Sequence, residues 1–406
     1  MTSSSSSSSA PLPPHYSPPD QPLKLIIDSD PGVDDVLAFL LALSLPHVHL
    51  LAITLTFGNT TLDYARDNVL RTFEVLKKQD ELEKRTGGEG GSRWHRAVGP
   101  GARKIEVALG AEGPLKGVER FTASYFHGRD GLSSISSLPG DPHPLPIPPP
   151  GSDSHPRDKP FFPAPLSLSS HSSPQLILSL LASHPPGTIR IAALGPVTNL
   201  AEAWLQDPQT FSRVGLISIM GGSLDEPGNT SPVAEFNTYA DPWAAKVLFE
   251  ESVGHGCLSG RRGRRLPIEL LPLDITGRHT VQYGNLMKAE GPLGNFITSI
   301  LTHPRKMTNS YAPYGLPFSA ERDDLFQAHD PLAVAHACFA PSEAGKGGEA
   351  YHQYHEYLEA HQSQNDASSG VQEGEQREDS TGWVYTERRF AVEAEGKLTR
   401  GMCIVE

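Results

Sequence analysis

Cysteine is scarce in this chain of 406 residues, which contains only Cys257, Cys338 and Cys403. The three residues form no CxxC pair and no even-numbered set, so the sequence supports neither a zinc ribbon nor a disulfide framework. The first twenty residues lack the apolar core of a signal peptide, and the first arginine is Arg66, which disfavours a mitochondrial presequence. We therefore predict that the protein is cytoplasmic, in the reducing cytosol, with the nucleus as a second predicted location.

Positive charge and long apolar runs are scarce as well. The chain has 34 Lys and Arg residues against 47 Asp and Glu residues, a formal net charge of −13. Because phosphate backbones bind clustered positive charge, we expect no nucleic-acid partner. The one basic cluster, RRGRR at 261–265, is interpreted as a solvated loop. No run of about eighteen apolar residues occurs, so we expect no membrane span.

Composition divides the chain into a tail and one interrupted domain. Residues 1–21 are rich in serine and proline and should be disordered, because they offer too little apolar surface to offset chain entropy. The domain should occupy residues 22–406. Three stretches, near 80–103, 134–174 and 341–380, are polar, charged or rich in Gly, Ser and Pro, and we interpret them as surface insertions.

Strand and helix patterns alternate along the rest of the chain. LKLIID reads as a buried strand, Val33 to Leu45 as a helix, His49 to Thr56 as a strand and Leu62 to Lys78 as a helix. The pattern resumes with two strands around a helix, at 187–194, 197–207 and 214–220. This order predicts a single α/β domain with a Rossmann-like, mostly parallel or mixed central sheet flanked by helices on both faces.

The stretch DSDPGVDD at 28–35 places four carboxylates around a Pro-Gly turn. Asp28 and Asp30 should lie at the carboxyl end of the first strand, the edge where open α/β sheets bind ligands. Asp34 and Asp35 should lie in the first helical turn, where backbone N–H groups favour negative charge. Simple helix capping would explain one or two aspartates. For four, a hard cation such as Ca²⁺ or Mg²⁺ explains the cluster better, although the spacing excludes an EF-hand.

Further polar residues follow later strands. The loop GGSLDEPGNTSPVAEFN contains Asn229, Glu235 and Asn237 without an Arg or Lys, which suits a neutral polyhydroxylated ligand better than a phosphate. His329 and Asp330 stand at a helix start and are candidates for a functional imidazole and carboxylate pair, although a structural histidine is an equal alternative.

Seven ordered blocks resemble one protein family. DSDPGVDD, FGNTT, FHGRDGL, ALGPVTNLA, MGGSLDEPGNTSPVAEFN, LDIT and HDPLAVA look like the motifs of inosine/uridine-preferring nucleoside hydrolases. The resemblance runs from about residue 23 to 406 and leaves out the three insertions. It implies hydrolysis of the N-glycosidic bond of ribonucleosides to nucleobase and ribose, with Ca²⁺ as cofactor, in a homodimer or homotetramer.

The resemblance also implies roles for individual residues. Asp30 would be the base that takes a proton from a water on the calcium ion, and His329 would protonate the departing nucleobase. His127 would lie near that nucleobase. The implied calcium ligands are Asp30, Asp35, the main-chain carbonyl of Leu194 and Asp330; the implied ribose ligands are Asp34, Asn59, Asn229, Glu235 and Asn237.

Two other functions are weighed against this one. A haloacid-dehalogenase-like phosphatase also uses DxD after its first strand, but it expects Thr or Val where Gly32 stands. A nucleoside-binding homologue without turnover is the second alternative. Within the hydrolase interpretation, the pair of histidines favours uridine and other pyrimidine ribonucleosides, or a broad inosine-uridine range.

Overall fold

The computed structural model describes residues 22–86, 92–117, 119–149, 160–251, 266–310, 317–340, 376–378, 382–386 and 388–405. The predicted tail 1–21, the basic cluster 261–265 and nearly all of the stretch 341–380 lie outside the described residues, so those predictions remain predictions. Within the described part, no helix is both long enough and apolar enough to cross a membrane.

A seven-stranded sheet forms the centre of the molecule, and every pairing within it is parallel. The strand order is β4-β3-β2-β1-β5-β6-β7. This confirms the predicted Rossmann-like α/β sheet, and no antiparallel strand is needed to describe it. The strands are β1 (Leu23–Ser29), β2 (Val48–Leu55), β3 (Ile105–Leu109), β4 (Leu166–Leu168), β5 (Ile189–Ala193), β6 (Leu216–Met220) and β7 (Ile268–Leu271).

Helices cover both faces of this sheet, because successive side chains of the buried strands point to opposite faces. Leu25 and Ile27 of β1 belong to one apolar core, while Ile26 belongs to the other. The helices are α1 (Val33–Ser44), α2 (Leu62–Thr86), α3 (His95–Val98), α4 (Ser124–His127), α5 (Ser173–Ser183), α6 (Thr198–Gln206), α7 (Pro208–Phe211), α8 (Phe236–Ala240), α9 (Pro242–Lys246), α10 (Leu273–Thr276), α11 (Tyr283–Leu286), α12 (Gly291–Ser310), α13 (Ala320–Asp323) and α14 (His329–Phe339).

Short antiparallel strand pairs complete the fold outside the central sheet. The strands β8 and β9 pair near the start of α14, and the remaining pairs belong to the C-terminal part of the chain. Their bounds are β8 (Thr280–Gln282), β9 (Leu325–Gln327), β10 (Gln376–Glu378), β11 (Val384–Thr386), β12 (Phe390–Val392) and β13 (Cys403–Val405).

The first predicted insertion, 80–103, is not simply a surface loop. Helix α2 continues to Thr86, beyond its predicted end at Lys78. Trp94 and Val98 are buried in the same core as β1. Residues 79–86 read QDELEKRT, mostly strong helix formers, so their charge was the misleading feature.

The second predicted insertion, 134–174, is also partly built into the fold. It supplies β4, the edge strand beside β3. Its residue His143 is buried and packs on Phe296 of α12, with the two ring centroids 5.0 Å apart. Arg71 of α2 forms an ion pair with Asp141 at 2.7 Å and donates to the carbonyl of His143. These contacts attach the segment to two helices.

The direction of strand addition reverses at β1. The chain builds β2, β3 and β4 on one side of β1, then returns to place β5, β6 and β7 on the other. In open α/β sheets the carboxyl ends of the strands at such a reversal form a crevice that binds ligands. The crevice between β1 and β5 is therefore the expected ligand position.

Candidate active site

The segment 28–35, hereafter the acidic turn, leaves the carboxyl end of β1 at this crevice. Asp28 is the last buried carboxylate inside the strand, where its Oδ1 accepts from the Thr54 hydroxyl at 2.6 Å and from Asn199 Nδ2 at 2.8 Å. Burial raises the pKa of Asp28 to about 7. Asp28 thus ties three elements together beneath the crevice, while the other three aspartates lie beyond the strand end.

Asp30 is enclosed by main chain. Its Oδ2 accepts from the backbone N–H of Asn59 at 2.6 Å, and its Oδ1 has no hydrogen-bond partner among the described residues. A Cβ on Gly195 would lie 2.5 Å from Asp30 Oδ1, and one on Gly58 would lie 2.0 Å from Asp30 Oδ2. Gly58 also has a φ of +155°, a conformation that other residues rarely adopt. Glycine at both positions lets the main chain approach this carboxylate closely.

Three further carboxylates meet beside Asp30. One oxygen from each of Asp34, Asp35 and Asp330 lies within 4.8 Å of the others, a spacing that could hold a metal ion. Asp35 is oriented by Ser29 Oγ at 2.5 Å and by the Gly32 N–H at 2.8 Å. Burial and neighbouring carboxylates raise the pKa of Asp30, Asp35 and Asp330.

The donor set fits a hard cation. It consists of oxygen atoms alone, and Asp35 and Asp330 are buried. Asp34 Oδ1 in the set and Asp30 Oδ1 beside it have no hydrogen-bond partner among the described residues. Oxygen ligands are the preference of Ca²⁺ and Mg²⁺. The carboxylates repel one another, and this repulsion in a low-dielectric site raises their pKa values. A cation bound here would offset the repulsion.

The cluster differs in membership from the predicted calcium ligands. It includes Asp34, which was predicted to bind ribose, and Asp30 is not one of its three members. The Leu194 carbonyl, a further predicted ligand, accepts from Asn237 Nδ2 at 2.7 Å in this structure. A carbonyl oxygen has two lone pairs, so this bond leaves one for another partner.

The predicted ribose ligands fall into two groups. Asn59 lies inside the carboxylate cluster and donates from Nδ2 to Asp35 Oδ2 at 3.0 Å. Glu235 and Asn237 are buried at the start of α8, whereas Asn229 is exposed and its Oδ1 accepts from the Phe236 N–H at 2.9 Å. Asn229 therefore orders the loop before α8 in this structure.

Glu235 caps helix α8. Its Oε1 accepts from the Asn237 N–H at 2.8 Å, and its Oε2 accepts from the N–H groups of Gly222 and Thr238 at 2.9 and 3.1 Å. Burial nevertheless raises the pKa of Glu235 to about 7. The carboxylate joins the glycine loop after β6 to the helix that presents Asn237.

The two predicted histidines lie beside the acidic turn. His127 ends α4 and is buried, and its Nδ1 accepts from the Val33 N–H at 3.2 Å. This bond leaves the proton of the neutral ring on Nε2. His329 starts α14 with its Nδ1 2.8 Å from the Thr276 hydroxyl. Burial lowers the pKa of each imidazole to about 4.

Asn68 on α2 was missed by the sequence prediction. It is buried, and its Nδ2 donates to the carbonyls of Pro31 and Asp130 at 2.8 and 2.7 Å. Pro31 belongs to the acidic turn and Asp130 to the segment 126–134, hereafter the His127 loop. One amide group therefore joins the two sides of the crevice. No local pattern marks it, because it is a polar residue on an ordinary amphipathic helix.

Ser29 and Thr276 were also missed as site residues. Both hydroxyls contact predicted site groups, Ser29 contacting Asp35 and Thr276 contacting His329. A signal did exist, because both residues stand inside blocks on which the family resemblance rests, DSDPGVDD and LDIT.

Comparison with known proteins agrees with this geometry. A family model described as inosine-uridine preferring nucleoside hydrolase matches residues 25–90 and 91–406. The inosine-uridine preferring nucleoside hydrolase of Leishmania major is 29% identical over 320 residues, covering 78% of each chain. A probable uridine nucleosidase 1 of Oryza sativa subsp. japonica is 34% identical over 226 residues, which are 56% of this chain and 55% of the relative. The match thus spans about half the length of that rice relative.

Solved structures show the same fold at low identity. A plant nucleoside hydrolase superposes with a TM-score of 0.60 at 22% identity, covering 95% of this chain and 87% of the other. A purine-preferring ribonucleoside hydrolase from Gardnerella vaginalis gives 0.59 at 21% identity, covering 94% and 88%. With the family model matched over nearly the whole described chain, this protein belongs to the inosine-uridine preferring nucleoside hydrolase family.

Proposed function

We propose that this protein hydrolyses the N-glycosidic bond of ribonucleosides, releasing nucleobase and ribose. The observation that supports this most strongly is the set of carboxylates at the β1–β5 crevice: the partly buried Asp34 and the buried Asp35 and Asp330, with the buried Asp30 beside them. Cleavage of such a bond passes through an oxocarbenium-like ribosyl cation. A fixed wall of negative charge stabilises positive charge as it develops, without having to reorganise.

Asp30 is the proposed general base. Its Oδ2 is held by the Asn59 N–H, while its Oδ1 is free to accept a proton from the water that attacks the sugar. Because Gly58 and Gly195 have no side chain, the main chain on either side contacts this carboxylate closely and fixes its position. A raised pKa, which burial and Asp35 both favour, increases the basicity of the group.

Ca²⁺ is the proposed cofactor, held by Asp34, Asp35 and Asp330, with Asp30 and the Leu194 carbonyl as further proposed ligands. When bound, the ion supplies Lewis acidity and a fixed position for the attacking water. The protein's own part is to hold the oxygens in place, through Ser29, Gly32 and Asn59. Ribose hydroxyls are proposed to contact Asp34, Asn59, Asn229, Glu235 and Asn237.

The histidines are proposed to assist departure of the nucleobase. A nucleobase leaves more readily with a proton or a hydrogen bond than as a bare anion. The neutral His127 ring presents its Nε2 proton, because Nδ1 is occupied by the Val33 N–H. His329 is the second proposed donor to the leaving nucleobase, oriented by Thr276 and by its place next to Asp330. Because burial lowers its pKa to about 4, its ring is neutral near pH 7 and donates a hydrogen bond from its N–H.

Uridine and other pyrimidine ribonucleosides, or a broad inosine-uridine range, are the proposed substrates. The Leishmania relative is an inosine-uridine preferring nucleoside hydrolase and the rice relative a probable uridine nucleosidase, which supports this range. The proposed setting is nucleoside salvage in the cytosol by a homodimer or homotetramer.

Ribose release from uridine, cytidine, inosine and adenosine tests the proposal, with wild type compared with Asp30→Asn. Wild type should release ribose and Asp30→Asn should not, while Asp63→Asn, at a carboxylate whose side chain is 83% exposed, should match wild type. Bound calcium, measured in each protein, shows whether the site survives the substitution.

Other outcomes favour the alternatives. Calcium binding without ribose release from any nucleoside would favour a nucleoside-binding protein. Release of phosphate from a phosphate monoester, lost in Asp30→Asn, would favour the phosphatase.

A further inference from the structure

Helix α12 contains a proline in its interior, Pro304. Proline has no N–H, so the carbonyl of Ile300, one turn earlier, has no helical donor, and the proline ring pushes that carbonyl away from the helix. Ile300 is fully buried. A buried carbonyl without a donor destabilises the fold, so the gap needs a donor from elsewhere.

Ser133 of the His127 loop supplies that donor. Its Oγ donates to the Ile300 carbonyl at 2.5 Å and accepts from the His303 N–H at 3.3 Å. Ser133 has a left-handed φ of +61°, which residues other than glycine rarely adopt. We call the Ser133 hydroxyl seated in the gap left by Pro304 the proline plug.

Asp130 imposes the conformation that the plug requires. Its Oδ1 accepts from the N–H groups of Leu132 and Ser134 at 2.9 and 2.8 Å, on either side of Ser133. Its Oδ2 accepts from the Ser136 N–H at 2.8 Å. The loop is thus pre-formed around a buried carboxylate with the Ser133 side chain directed at α12.

The plug is directly connected to His127. The Ser133 N–H donates to the His127 carbonyl at 2.6 Å. A second hydrogen bond joins the same two segments, since His303 Nε2 lies 2.9 Å from the carbonyl of Tyr125. Tyr125 and His127 of the short helix α4 are therefore both attached to the same turn of α12. The His127 ring is in turn attached to the acidic turn by the Val33 N–H.

We propose that Ser133 is a positioning residue of the nucleobase side of the site: by replacing the N–H that Pro304 lacks, it fixes α12 against the His127 loop and sets the place of the His127 ring. This inference rests on the proposed function, in which His127 contacts the nucleobase. Loss of the plug should weaken contacts to the nucleobase and leave the carboxylate side unchanged.

A double-mutant cycle with Ser133→Ala and Pro304→Ala isolates the plug. In the wild-type background, Ser133→Ala removes the hydroxyl that donates to the Ile300 carbonyl. In the Pro304→Ala background, the new backbone N–H can bond to Ile300 itself, so the hydroxyl is no longer needed. Thr302→Ala is the matched control, because its hydroxyl donates to the Thr298 carbonyl at 2.7 Å on the exposed side of the same helix.

Kinetics and hydrogen exchange are the two readouts. Ser133→Ala should raise KM for uridine and inosine about tenfold with a smaller change in kcat, and the same change in the Pro304→Ala background should raise KM less than threefold. KM for a nitrophenyl riboside, which has no nucleobase, should change less than threefold throughout. Amide exchange of a 126–134 peptide should accelerate in Ser133→Ala, and in the Pro304→Ala background the same substitution should change it little.

Each outcome of these measurements supports or overturns a stated part of the proposal. Equal KM effects of Ser133→Ala in both backgrounds, or equal effects on nucleosides and the nitrophenyl riboside, would overturn the positioning role. Unchanged exchange in the 126–134 peptide would overturn the plug itself. If wild type releases no ribose from any substrate, the proposed function and the positioning role both fail, while the exchange cycle still decides whether the plug exists.

Discussion

The acidic turn and the His127 loop face each other across one crevice, yet different kinds of contact hold them. The acidic turn carries charge, and short-range main-chain and hydroxyl groups such as the Gly32 N–H and Ser29 Oγ orient its side chains. The His127 loop presents a neutral ring, and its anchors Ile300 and His303 are 167 and 170 residues away. One side of the site should therefore respond to pH and cations, and the other to changes in packing between distant elements.

A pH series on Glu235 should give the largest effect on the charged side. Its folded pKa of about 7 exceeds the ordinary value of 4.5, so its contribution to stability is full below pH 4.5 and is lost as pH rises through 7. The difference in unfolding free energy between wild type and Glu235→Gln should fall by on the order of 3 kcal/mol across that interval. Denaturant titrations from pH 4.5 to 8 measure it.

The control for this series is Thr302→Ala, which removes no titrating group and should keep the wild-type slope. A constant difference between wild type and Glu235→Gln at every pH would show that the pKa of Glu235 is the same in the folded and unfolded states, which contradicts the raised pKa.

Gly195→Ala tests how closely the main chain must approach Asp30. The added methyl would lie 2.5 Å from Asp30 Oδ1, so the carboxylate must move. A displacement of about 1 Å at a catalytic group can lower the rate about a hundredfold. We expect kcat for ribose release to fall by about that factor with a small change in KM.

Gly221→Ala is the matched substitution at the end of the neighbouring strand. Its methyl would lie 3.5 Å from Glu235 Oε2, an ordinary contact, and kcat should change little. Equal losses in the two variants would point to a general cost of alanine at these strand ends rather than to crowding at Asp30.

Calcium should stabilise the charged side of the crevice. At a tenfold excess over Kd, a ligand that binds only the folded state adds about 1.4 kcal/mol to the free energy of unfolding. Thermal melts of chelator-treated protein should therefore shift upward on addition of Ca²⁺, and Asp330→Asn should lose the shift. A larger shift with Mg²⁺ than with Ca²⁺ would change the assignment of the cation.

Asp141→Asn should give the smallest effect, in the segment that follows the His127 loop along the chain. It weakens the ion pair to Arg71, while the Arg71 bond to the His143 carbonyl remains. We expect a loss of about 1 kcal/mol in unfolding free energy, because this pair is partly buried. Denaturant midpoints measure it, with Asp63→Asn as an exposed control; equal midpoints for wild type and Asp141→Asn would mean that this bond adds no stability.

The sequence predicted best where the structural cause is local. The bounds of β1, α1 and β2 differ from the predicted ones by one residue or so, because alternating apolar runs and a Pro-Gly turn define them. The acidic turn was recognised for the same reason, since its four carboxylates are adjacent in the chain.

Long-range contacts account for what the sequence prediction missed. Trp94 and Val98 belong to a stretch whose composition is typical of a loop, and only packing against the β1 core makes them buried. Ser133 and Asn68 are polar residues whose partners lie in other elements, so no periodicity marks them. Pro304 alone gave a local signal, a proline inside a helical pattern, but the signal could not name the donor that fills its gap.

The strand order has a consequence for synthesis on the ribosome. In the finished sheet β1 is central, paired with β2 on one side and β5 on the other. Until β5 emerges, more than 150 residues after β1, the nascent sheet ends at β1 and exposes an apolar edge strand with an uncompensated acidic turn at its tip. Unpaired edges of this kind associate readily with other chains. The negative charge of the acidic turn would then oppose association with other chains before the turn takes part in catalysis.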